Sequence, residues 1–75
     1  TTESEAYVLG HLNKLLRRDP READAWIEQG VALYRLGETE EAARSFEAAR
    51  EIVPDSELVL TNLAVTLAES GKPHL

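Results

Sequence analysis

His11 and His74 are the residues of this 75-residue chain best suited to acid–base or metal chemistry. Neither has a ligand partner at helical spacing, because Tyr7 and Leu15 flank His11 four residues away and His74 stands in a tail. Cysteine is absent, which removes disulfides, zinc–thiolate sites and cysteine nucleophiles together. Ser4, Ser45, Ser56 and Ser70 lack an adjacent base, and capping or surface roles account for them. The stretch Ser70-Gly71-Lys72-Pro73 lacks the upstream glycine spacing and the following hydroxyl of a phosphate-binding loop. Glu38, Glu40 and Glu41 crowd one turn without the aspartate pattern of a calcium loop, and acid near a helix start explains them. The expectation is a non-enzyme with no catalytic residue, metal site, cofactor or small-molecule substrate.

Charge narrows the partners. Acids outnumber bases 14 to 8, a formal net charge of −6, so phosphate backbones and anionic lipid surfaces would repel the chain. No nucleic-acid or membrane role is expected, and no apolar run approaches the roughly 18 residues of a span. Lys14, Arg17, Arg18 and Arg21 hold half of the bases within one short stretch. Complementation of a helix dipole and a solvated helix end explain them, ahead of a docking spot for an acidic partner. Methionine is absent even at position 1, which suggests an excised or processed chain. No feature identifies a compartment, and the cytoplasm is the favoured default.

The elements that would position any site follow from composition and punctuation. Ala, Glu, Lys, Leu and Arg make up more than half of the chain, a strongly helical mixture. Pro20, Gly37, Pro54 and Gly71 cut it at spacings of 17 residues, and neither type sits well inside a helix. Helices are therefore expected over residues 3–18, 22–36, 40–52 and 57–70. Thr2 and Glu5 have the spacing of a capping box, Asp55 and Ser56 are candidate N-caps, and Gly37 stands as a C-cap. Glu40 with Arg44, and Glu47 with Arg50, have ion-pair spacing. Gly10 is the weak point, since a mid-helix glycine costs ~1 kcal/mol against alanine.

The punctuation is part of a repeat. Shifting the sequence by 34 residues aligns Pro20 with Pro54, Gly37 with Gly71, Trp26 with Leu60 and Gly30 with Ala64. The same shift aligns Val8 with Ala42, Leu12 with Phe46 and Leu15 with Ala49. With this period the chain resembles the tetratricopeptide repeat (TPR) family. One full repeat runs from Ala23 to Ser56, with Trp26, Gly30, Ala42, Phe46, Ala49 and Pro54 at the family's signature places. Gln29 departs from the usual leucine, and Leu33 takes the place of the common tyrosine.

The resemblance implies an all-α fold, a TPR-type solenoid fragment of four antiparallel helices in a single domain over residues 1–75. Residues 1–20 would be a second-type helix of a preceding repeat, with Val8, Leu12, Leu15 and Pro20 matching. Residues 21–55 would be the full repeat, and 56–75 a first-type helix plus tail, with Leu60, Leu63, Ala64, Leu67 and Gly71 matching. It also implies protein–protein interaction through a concave groove. The groove positions would be Ile27, Val31, Tyr34, Leu58, Thr61, Asn62 and Val65, with Glu28 and Arg35 beside them. Members that hold the acidic carboxyl tails of heat-shock chaperones carry lysine and asparagine where Ile27 and Val31 stand, so that clamp is rejected despite Asn62. An apolar lining suits a hydrophobic or amphipathic peptide or helix. The bland alternative is that these residues cover one another or a neighbouring helix. The alternative function is self-assembly, with Val8, Leu12 and Leu15 of one copy meeting Leu63, Ala64 and Leu67 of another.

Overall fold

The computed structural model describes residues 2–71. His74, and Lys72 and Pro73 of the rejected phosphate-loop stretch, lie outside the described residues. Four helices follow one another: α1 Thr2–Arg18, α2 Ala23–Arg35, α3 Thr39–Ile52 and α4 Glu57–Ser70. Each packs on the next in the chain. Contacts between α1 and α2 run in opposite directions along the two helices, since Glu5 meets Arg35 and Asn13 meets Gln29. The helices are therefore antiparallel hairpins, as their short loops require.

The punctuation acts as expected at three turns. Gly37 has φ of +83°, its N–H donates to the Tyr34 carbonyl and the Glu38 N–H donates to the Leu33 carbonyl. These two bonds close α2 with a Schellman turn, which needs the left-handed conformation glycine reaches at little cost. The proline turns repeat one bond at the 34-residue offset. Glu22 N–H donates to the Asp19 carbonyl at 3.2 Å, and Ser56 N–H donates to the Val53 carbonyl at 3.2 Å. Ser56 also caps α4, its hydroxyl accepting from the Val59 N–H at 3.3 Å.

Two local expectations are corrected. Thr2 already lies inside α1, and Glu5 reaches across to Arg35 of α2 at 3.5 Å, so the capping box does not form. Gly71 ends α4 where expected, with φ of −82°, an ordinary right-handed conformation unlike that of Gly37. Among the described residues Glu40–Arg44 and Glu47–Arg50 do not close as ion pairs; these exposed side chains gain too little to be held together.

The core has two centres. Ala42, Ala43, Phe46 and Leu63 form one, covered by Ile27, Val31, Leu33 and Tyr34. Leu12, Leu16 and Ala25 form the other against Trp26. Gly30 permits the α2–α3 approach: a Cβ there would stand 2.6 Å from Cε1 of Phe46. Trp26 closes the α1–α2 corner, its indole N–H donating to the Pro20 carbonyl at 2.8 Å.

Candidate partner-binding groove

Ile27, Val31 and Arg35 recur every four residues on α2, so they form one line along that helix. Two clefts share this line. One, of about 410 Å³, lies toward α1 and is lined by Glu5, Val8, Ile27, Glu28, Val31 and Arg35. The other, of about 290 Å³, lies toward α4, where Tyr34, Asn62 and Val65 close over Phe46 and Thr66. Val31 and Arg35 border both clefts. The floor is apolar. Thr66 is buried, its hydroxyl donating to the Asn62 carbonyl at 2.6 Å, which keeps that polar group off the surface. The Asn62 amide and the Tyr34 hydroxyl have no hydrogen-bond partner among the described residues. They leave free donors and acceptors at the edge of an apolar surface. The guanidinium of Arg35 instead leans on Glu5 across the α1 side.

Five of the seven residues expected from the sequence, Ile27, Val31, Tyr34, Asn62 and Val65, thus border this pair of clefts. Leu58 and Thr61 are exposed on α4 and border neither. Ile27, Val31 and Tyr34 also rest on the core cluster. They are half-buried and serve both purposes, with inner edges against Phe46 and its neighbours and outer edges lining the clefts. Val8, Phe46 and Thr66 were not among the expected groove residues. Only the packing of α1 and α3 on α2, and of α4 on α3, brings them there.

A larger cleft, of about 570 Å³, opens on the opposite face of α2 between α1 and α3. Polar side chains span it: Gln29 donates to Asn13 Oδ1 at 2.6 Å, and the Ser45 hydroxyl donates to Gln29 Oε1 at 2.8 Å. Three helices are linked through Gln29, the residue that departs from the repeat pattern. Among the described residues no buried side-chain polar atom lacks a partner. Asn13, Gln29 and Ser45 thus bond one another across this cleft, and the apolar groove is the better candidate despite its smaller volume. His11 lies on the outside of α1, its Nε2 paired with the Tyr7 hydroxyl at 3.3 Å and its ring edge-on to Tyr7. Both are exposed.

The expected self-association set divides. Leu12 and Leu63 are buried within the chain, because α2 covers the first and α3 the second. They are not available to another copy. Val8, Leu15, Ala64 and Leu67 are exposed.

These features define a class of protein: an all-α repeat of helical hairpins, with small residues where helices approach and an apolar groove along a first-type helix. The tetratricopeptide repeat family model matches residues 9–57, and the chain belongs to that family. Repeats of this kind are typically non-catalytic scaffolds that bind other proteins. Comparison with curated proteins finds no match. Comparison with solved structures finds none either.

Proposed function

We propose that residues 1–75 act as one protein-binding module that holds a partner peptide or helix in the groove along α2 and performs no chemistry. The observation that carries this reading is Val31, which borders both clefts between Ile27 on one side and Val65 on the other. An apolar floor with a free amide and a free phenol at its edge suits an amphipathic segment that buries its apolar side chains and offers polar groups to the rim. Nucleic acid, membrane, cofactor and small-molecule substrate are not part of the proposal. Fluorescence anisotropy against amphipathic helical peptides tests it. Binding is expected to fall at least tenfold in Val31→Asp, since a charge in an apolar contact stays undersolvated. Thr61→Ala, outside the clefts, is expected to leave binding unchanged. Equal binding by Val31→Asp and wild type removes the groove.

A second reading, self-assembly, has its own observation. Leu58, Leu60, Val65 and Leu67 are all exposed on α4, a large apolar share for one helix.

A further inference from the structure

The groove differs in charge between its two sides. Among the described residues lining the cleft toward α4, Arg35 alone is charged. The cleft toward α1 holds Glu5 and Glu28 beside the same Arg35. Arg35 is thus the one cation among the described residues bordering either cleft, in a chain of net charge −6. Its pairing with Glu5 is incomplete. Nη1 reaches Glu5 at the long distance of 3.5 Å, and the Arg35 side chain stays 66% exposed against 18% for Glu5. Nε and Nη2 have no partner among the described residues, which leaves donors of the guanidinium fork for another carboxylate. Compensation of the α2 dipole explains a base in this last turn, but it does not require the side chain to border both clefts. The α4 side is fully framed by the described residues, with α2 and α4 as walls and Phe46 of α3 as floor.

We propose that the groove's partner is a net-basic amphipathic helix carrying one carboxylate a turn away from an apolar anchor, and that Arg35 takes this carboxylate. The proposal rests on the groove reading above and specifies the chemistry of its partner. Spacing supports a helix. Val31 and Arg35 stand four residues apart, about one turn of α2. A helix laid along α2 repeats that spacing, so its anchor enters the cleft beside Val31 and Val65 while a side chain one turn on reaches Arg35. The cleft toward α4, at about 290 Å³, is small for a ligand pocket and suits one large side chain. Charge fixes the rest. A second acid directed to the α1 side would meet Glu5 and Glu28, a like-charge contact. A strongly acidic segment would also be repelled by a chain of net charge −6. The carboxylate is therefore single and local, and the flanks of the helix are basic.

Fluorescence anisotropy of the whole chain against paired synthetic peptides tests this. Each probe is a lysine-flanked amphipathic helix with a leucine stripe and one glutamate a turn from a leucine; its twin has glutamine there. The glutamate is moved through successive turns so that one register meets Arg35. In that register wild type is expected to prefer the glutamate peptide by about fivefold at low salt, the size of a part-exposed ion pair. Arg35→Met keeps an apolar stem and is expected to abolish the preference, whereas Arg35→Lys is expected to retain part of it. Glu5→Gln releases Nη1 and is expected to increase it. A partly unfolded variant weakens both twins alike, so their ratio still reads the contact. Equal binding of the twins in every register, lost in Val31→Asp, leaves the groove standing and overturns the carboxylate contact. A preference that survives in Arg35→Met overturns it too. Binding of no peptide in any register removes the groove reading together with this one.

Discussion

The Phe46 ring occupies the space that a side chain at Gly30 would need: three ring carbons lie 2.6 to 2.8 Å from the position of a Cβ there. Phe46 is itself 1% exposed, so the ring has no free volume to retreat into. This one contact sets the distance between α2 and α3. Gly30→Ala is therefore expected to destabilise by ~1–3 kcal/mol through overpacking. That exceeds the ~1 kcal/mol alanine gains in a helix interior. Gly10→Ala is the opposite case. A Cβ there meets nothing within 4 Å, and the substitution is expected to stabilise by ~0.5–1 kcal/mol. Urea midpoints of the two variants should move in opposite directions; movement in the same direction would contradict the close approach.

Gly37 and Gly71 close corresponding helices but differ in backbone. With φ of +83°, Gly37 is expected to lose ~1–2 kcal/mol on substitution by alanine. Gly71, with φ of −82°, should tolerate alanine with a change below about 0.5 kcal/mol. Thermal melts of the pair check this. A Gly37→Ala variant as stable as wild type would show that the left-handed turn does not constrain the fold.

Ala42 is fully buried between helices, whereas Ala23 starts α2 and is only half-buried. Ala42→Leu is expected to cost ~1–3 kcal/mol by forcing α2 and α3 apart. Ala23→Leu should be much milder. Equal losses in denaturant titrations would mean that the register of the hairpin differs from the one described.

Gln29 and Ser45 form a hydrogen bond that apolar residues can replace. Ser45→Ala alone removes a donor from Gln29 Oε1, and Gln29→Leu alone leaves Ser45 only the weaker bond to the Glu41 carbonyl at 3.3 Å. Each single change is expected to cost ~0.5–1.5 kcal/mol. The double variant should cost less than the two together, with a coupling near 1 kcal/mol. Strict additivity in a double-mutant cycle would show that the bond contributes nothing to stability.

Period, helix boundaries and turn positions were legible in the residues themselves. Proline and glycine act through the backbone of their own neighbourhood, so Pro20, Gly37 and Pro54 mark the same breaks whatever packs around them. The apolar stripes were legible too, because a helix repeats its faces by fixed geometry. The groove positions came instead from the family resemblance, and five of them, on α2 and α4, border the clefts. Beyond that point only the tertiary structure decides. Leu12 and Leu15 share a stripe, as do Leu63 and Leu67, yet one of each pair is buried and the other exposed. The neighbours present in three dimensions select between them, and periodicity does not encode those neighbours. Gly10 and Gly30 both lie inside helices, but only the second has a ring pressed against it. Glu5 finds Arg35 thirty residues away, and Gln29 joins Asn13 to Ser45 across three helices. Such links depend on which turns of different helices come to the same level, a relation set by packing against the shared core rather than by any local run of residues.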